Sequence, residues 1–325
     1  MGKWIPTYYK KLEGLLSNVN QVKKHFIFVT QATHFVEEVN AFLTPWRSEM
    51  PLAVESLSTP FPFFYFTDRK LIVHCISLEV LSAGVPVSFF ADLSEQMASQ
   101  GIKIIHLWED VWFTKKEVVQ SRLRAAFGET QRIPARLTKV RRIDKPTLNA
   151  FIEKNHLQVA TTAKYKYGLF LPKQYERIIK ANLPSTSLLI NSFSHSKEVL
   201  VAVASFSGGK NILRDGQTYR SFELIRFANL LDCTVVGGLD KLLKTFTKEV
   251  HPDDMMTYAD RDWSDGRSYE RLGFDRLGST SPQTFFVNPN SMERHYTERL
   301  EESEIPSDWI TISNAGNWKF LKKFK

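Results

Sequence analysis

Apolar positions along the chain fall into two alternating rhythms. Leu12, Leu15, Leu16 and Val19 recur at helical spacing within Lys10 to Val19, and Phe35, Val36, Val39 and Phe42 repeat the pattern within Gln31 to Leu43. HFIFVT, between these two helices, is a short strand. Pro45, Pro51, Pro60 and Pro62 then exclude a long helix. FFYF and LIVHCI, separated by a TDRK turn, predict a hairpin, and IKIIHLW after Gly101 predicts a buried strand. VPVSFF has strand character, and a helix containing Glu95, Gln96 and Met97 stops at Gly101. Thr114 and Glu117 have the spacing of a capping box, which would start a helix with Val118, Val119, Leu123 and Phe127 inward and Gly128 at its end.

The second half has a different order. TLNAFIEKNH predicts a helix opened by Asp144 and Pro146. YKYGLFL, SLLINSF, VLVAVASF and YRSFELIRF predict an antiparallel meander with hairpins at SGGKN and RDGQ. A strand, Gly237-Gly238, a helix from Leu239 to Val250 and the strand DMMTYAD then form a βαβ run, followed by a short helix over Tyr269 to Phe274. TFFV is a further strand, Ser291 to Glu302 a polar helix, and WITISNAGNWKFLKKFK a closing strand and turn. The fold class is α/β (α+β), with mixed sheets and flanking helices. The 325 residues are enough for two cores. We therefore expect one domain over 1–130, a basic connector over 131–144 and a second domain over 145–325.

Charge sharpens this picture. Lys and Arg number 43 against 35 Asp and Glu, giving +8 and a pI of about 9.3, which favours polyanionic partners or a merely soluble basic surface. The connector carries Arg132, Arg136, Arg141 and Arg142, and the loop YADRDWSDGRS carries Arg261, Trp263 and Arg267. These residues are the candidates for contact with nucleic acid, with DNA as the expected partner. Cys75 and Cys233 lack companions at ligand spacing, so reduced buried thiols and a cytoplasmic location are expected. No apolar run suits a membrane span, and no metal is expected. The Asp260 to Arg271 loop fails as a calcium loop, because its sixth and twelfth positions are Asp265 and Arg271.

Three groups of residues carry candidate chemistry. Gly237-Gly238 before a helix can receive an anion or simply make a tight turn. Glu109 and Asp110 end a buried strand, where site residues gather, and equally suit the start of a helix. Tyr269 opens the pattern Y-x-x-x-G-F with Gly273 and Phe274.

Two resemblances follow. GIKIIHLWEDVWFTKKEVVQSRL with ARLTKVRRI resembles the very-short-patch-repair-like endonuclease domain of phage and mobile-element proteins. That implies a restriction-endonuclease-like mixed sheet, with Asp68, Glu109 and Asp110 as the surviving acidic residues. LIVHCI places His74 where such enzymes offer an acid, so the resemblance implies DNA association with cleavage lost. Asn149 to Val287 is similar to the acetyltransferase superfamily known as GNAT. This second resemblance implies an acyl-coenzyme A-dependent N-acyltransferase that uses acetyl-coenzyme A. Tyr269 would be the acid for the leaving thiolate, and Gly237 and Gly238 would face the pyrophosphate. The superfamily's Arg/Gln-x-x-Gly-x-Gly/Ala loop reads DCTVVGG here.

Overall fold

In the computed structural model, residues 33–46, 57–81, 84–179, 193–194, 196–214, 216–296 and 305–324 are described. The helix expected over Lys10 to Val19, the strand HFIFVT and nearly all of SLLINSF lie outside them. The described chain is mixed α/β, with several sheets and flanking helices.

The first half is built on a three-stranded sheet. β1 (Phe63–Phe66) pairs antiparallel with β2 (Leu71–Ile76), which pairs in parallel with β3 (Lys103–Trp108). All six β2 residues are buried because both faces of the sheet are covered. Val73, Cys75, Ile105 and Leu107 pack under α1 (Thr33–Leu43), and Ile72 and Ile104 meet Leu93 and Met97. The latter two lie on the opposite helix; α2 (Leu78–Leu81) comes first and α3 (Phe89–Ser99) follows it. VPVSFF is thus a turn leading into α3, not a strand.

Two short helices follow, α4 (Glu109–Thr114) and α5 (Lys116–Ala126). The expected capping box does not form. The Thr114 hydroxyl donates back to the Asp110 carbonyl at 2.7 Å, inside α4, and α5 begins at Lys116 without a side-chain cap. Asp144, by contrast, caps its helix as its position demands, accepting from the Thr147 amide at 2.8 Å.

The segment expected as a connector is structured. β4 (Gln131–Pro134) and β5 (Lys139–Arg142) occupy it, and β5 is an edge of the large sheet. After α6 (Lys145–Asn155) come β6 (Tyr165–Pro172), β7 (Glu198–Phe206), β8 (Lys210–Arg214) and β9 (Gln217–Asn229). β10 (Cys233–Val236) leaves the meander and pairs in parallel with β4. α7 (Gly238–Val250) crosses over to β11 (Asp254–Asp260), and α8 (Arg267–Glu270), β12 (Asp275–Ser279), β13 (Thr284–Val287), β14 (Arg294–Tyr296), β15 (Ile310–Ser313) and β16 (Asn317–Lys323) follow. The large sheet runs β12-β16-β11-β9-β7-β6-β5, with β8 paired to β9; β14-β13-β15 form a separate sheet. The polar helix expected from Ser291 is replaced, where described, by β14.

One face of the large sheet packs against Leu242, Leu243, Phe246 and Val250 of α7, and the other against Leu148, Phe151 and Ile152 of α6. The halves share a further cluster, in which Phe61, Ile76 and Trp108 meet Phe285, Val287 and Ile312. Hydrogen bonds fix this junction. The Trp108 indole N–H donates to Asp262 at 2.8 Å and the His106 amide to the Asp262 carbonyl at 2.9 Å. No helix among the described residues is long and apolar enough to cross a membrane.

Candidate functional site

Parallel strands β9 and β11 open a fork in the large sheet. They pair over Ser221 to Leu224 and Asp254 to Thr257, and then separate. β9 continues to Asn229 against β7, and β11 continues to Asp260 against β16, so among the described residues their facing edges have no partner strand beyond that point. The cause is local. Ile225 is an extra residue in β9, since Ser205 faces Arg226 while Phe206 faces Leu224, and such a bulge bends the strand that carries it. The Thr257 hydroxyl closes the apex by donating to the Leu224 carbonyl at 3.0 Å.

Several polar side chains meet at this opening. The Tyr269 side chain lies beside Thr257, whose hydroxyl tends to lower the phenol's pKa. Its ring is held between Phe274 and Phe320, at centroid distances of 5.7 and 5.4 Å. Arg226 of β9 donates to the Ile225 carbonyl at 2.8 Å and the Val159 carbonyl at 3.4 Å. Arg122, from α5 in the first half, lies over the Trp263 ring at 5.0 Å, and its buried Nε has no hydrogen-bond partner. Both guanidinium groups interact electrostatically with Asp260 and Tyr269.

Burial is the first cause of the pKa shift at each of these groups. It raises Asp260 and Tyr269 and lowers Arg122 and Arg226, yet all four side chains keep part of their surface accessible. Glu223 is the residue before the apex in β9. Burial raises its pKa, against the opposing charges of Arg226 and Lys210. Glu223, Arg226, Arg122 and Thr257 were missed in the sequence because FELIRFAN and VVQSRL read as ordinary strand and helix. The bulge that turns Arg226 has no signature of its own.

A recess lies at the start of α7. Gly237 adopts φ 76°, in the left-handed region where glycine is favoured, and Gly238 packs so closely on Val235 and Leu169 that a Cβ would come within 3.0 and 3.2 Å of them. The groove beside them has a volume of about 710 Å³. Arg132 and Arg136 lie on one wall, Lys241, Lys244 and Lys248 on the other, with Asp240 the single acid. Lys241 donates to the carbonyls of Ala135, at 2.9 Å, and Thr138. Lys244 pairs with Asp240, while Arg132, Arg136 and Lys248 are exposed. The Gly-Gly turn and the first two connector arginines, chosen separately from the sequence, therefore meet in one groove.

The other candidates lie elsewhere. Arg141 and Arg142 pair with Glu198 and Glu249 and lie over the rings of Phe170 and of Tyr165 and Tyr167. Arg261 and Trp263 were expected on an exposed loop but are only 4% and 5% accessible. Arg261 donates to the Ala91 carbonyl at 3.0 Å and to Glu95 at 2.9 Å, and Trp263 joins the apolar cluster of the first half. Contact between the halves accounts for this reversal. Arg267 remains exposed beside Asp265.

Glu109 and Asp110 do not converge on a metal site. The Glu109 carboxylate accepts the Leu78 amide at 2.8 Å, and Asp110 is held by a forked contact from Arg294. Among the described residues no group of three His, Cys, Asp or Glu could hold a metal ion. His74 instead meets His106, with their Nδ1 atoms 3.0 Å apart, and burial depresses both pKa values, that of His106 to about 3.

No family profile and no curated protein matches the sequence. Among solved structures, the NatC complex bound to Gag peptide and CoA is similar at 9% identity and a TM-score of 0.30, covering 58% of this chain and 99% of that one. Histone acetyltransferase HPA2 and related acetyltransferase from Corynebacterium glutamicum is similar at 15% identity and a TM-score of 0.29, covering 57% and 96%. The KacTA–DNA complex is similar at 15% identity and a TM-score of 0.26, covering 54% and 92%. Likenesses at such scores carry no argument here, and the functional reading rests on the fork and the groove.

Proposed function

We propose that the second half is a GNAT-like N-acyltransferase domain acting at the β9–β11 fork. The observation that carries this is the fork itself: two parallel strands that part at Leu224 and Thr257, with Tyr269 at the apex. The residues fit acetyl-coenzyme A, since the free strand edges can receive an extended amide-bearing arm and the groove cations can receive phosphates. The segment between β9 and α7 forms β10 in place of the superfamily's loop, so charged side chains take over what loop amides would do.

When bound, acetyl-coenzyme A supplies the activated acyl group. Glu223, whose pKa is raised by burial, takes up the proton of the acceptor ammonium as it becomes a nucleophile. Tyr269 keeps its own proton through the neutral range, because burial raises its pKa above that of free tyrosine, and holds it at the apex for a departing thiolate. Partial enclosure of these side chains limits competition from water. Exchange of Tyr269 for Phe should lower kcat on the order of 10²-fold and leave KM for acetyl-coenzyme A unchanged. The reading fails if acetyl-coenzyme A neither raises the melting temperature nor is consumed with any amine.

The groove favours a second reading, in which Arg132, Arg136 and Lys248 hold a nucleic-acid backbone without cutting it. The placement of Asp110 against Arg294 gives no support to cleavage. Retention on duplex or single-stranded DNA at low salt, weakening as salt rises, is the outcome this reading requires.

A further inference from the structure

The arginines turned toward the interior differ in what they meet. Arg124 meets Asp232 at 2.6 Å, Arg261 meets Glu95 at 2.9 Å and Arg294 meets Asp110, each a carboxylate within contact distance. Among the described residues, Arg122 and Arg226 form no such pair. Arg226 bonds only to main-chain carbonyls, and Arg122 lies against an indole with its Nε unused. Asp260 acts electrostatically on both, and Glu223 on Arg226, but neither acid is in ion-pair contact with them. Two desolvated guanidinium groups thus stand beside Asp260 and Glu223 without an ion-pair contact to either, and one of them keeps an unused N–H. A buried donor without a partner is costly unless a ligand satisfies it.

The geometry points to an oxyanion-recognition site formed by Arg122 and Arg226, which selects an acyl acceptor carrying a carboxylate or phosphate beside its amine. This rests on the acyl-transfer reading and specifies its substrate class. Guanidinium suits the task, because its planar fork pairs with both oxygens of a carboxylate or phosphate. The site also gives the first half a function. α5 is held against the turn after β9, where the Ser121 hydroxyl accepts the Asp232 amide at 2.7 Å and Arg124 pairs with Asp232. Those contacts set Arg122 over Trp263, at the mouth of a fork built by the other half.

The test uses the full chain and two pairs of amines: glycine with glycine methyl ester, and phosphoethanolamine with ethanolamine. Binding is measured by calorimetry without cofactor, and KM with acetyl-coenzyme A. The anionic member of one pair should bind about 10- to 100-fold more tightly than its neutral counterpart, and which pair responds separates carboxylate from phosphate. Arg122→Gln should erase that preference with KM for acetyl-coenzyme A unchanged, and Arg122→Lys, which keeps the charge without the fork, should restore part of it. Melting temperatures of both variants show that they are folded. Equal binding within both pairs, no binding by any of the four, or a preference that survives in Arg122→Gln would overturn the inference. An anion preference lost in Arg122→Gln, in a protein that does not bind acetyl-coenzyme A, would uphold this site while removing the acyl-transfer reading.

Discussion

Arg294→Met is the most informative single perturbation of the junction between the halves. Asp110 is 1% exposed and Arg294 20%, and the guanidinium holds both carboxylate oxygens from a strand 184 positions away. Removing the cation leaves a buried carboxylate uncompensated, which costs about 3–5 kcal/mol. Asp110→Asn should cost less, about 1–3 kcal/mol, because Arg294 stays partly solvated and lies over Trp108 at 5.1 Å and Phe285 at 5.4 Å. The double variant should fall well short of the sum, with a coupling energy of about 1–3 kcal/mol. Urea denaturation of the four proteins measures the cycle, and the Arg294→Met melting temperature should drop by on the order of 10 °C. A loss below about 0.5 kcal/mol for Arg294→Met, or strict additivity, would refute the assignment of Asp110 as structural. So would magnesium stabilising the parent but not Asp110→Asn, which would restore the nuclease reading.

Three further outcomes follow from the fork and its supports. The raised pKa of Glu223 means that its basic form is lost, as pH falls, at a value above 4.5, so the pH–rate profile should have an acid limb there that disappears in Glu223→Gln. The same shift makes a stabilising contribution present below pH 4.5 that is lost as pH rises through the folded value, and Glu223→Gln should flatten that slope in denaturation curves. Gly266→Ala should destabilise by about 1–3 kcal/mol, since the new Cβ would stand 2.2 Å from Phe320 Cζ on a backbone at φ 78°. Phe320 also packs on Tyr269, so kcat should fall together with the melting temperature.

Elements with a strong period were legible in the sequence. LIVHCI, IKIIHLW and the helix ending at Val250 lie where their apolar spacing puts them, because burial on one or both faces is written into residue type. Features set by distant contacts were not. Thr114 reads as a cap until α4 claims its hydroxyl, and Arg261 and Trp263 read as a solvent loop until the first half covers them. Polar residues with turn-favouring neighbours look alike whether water or another domain surrounds them. Gly237-Gly238 and Arg132 with Arg136 were each visible, but their meeting depends on β4 pairing with β10, and nothing in either four-residue strand names its partner.

The position of β16 bears on how the molecule assembles. It lies between β11 and β12 in the large sheet, although it follows both in the sequence. While the chain emerges from the ribosome, β11 can find β9 but must wait for residues 317–323 before its other margin is covered, and β12 waits for the same strand, its partner among the described residues. The wall that carries Asp260 and supports Tyr269 therefore cannot become rigid before residues 317–323 are made, so completion of the fork waits on a strand remote in sequence from β9.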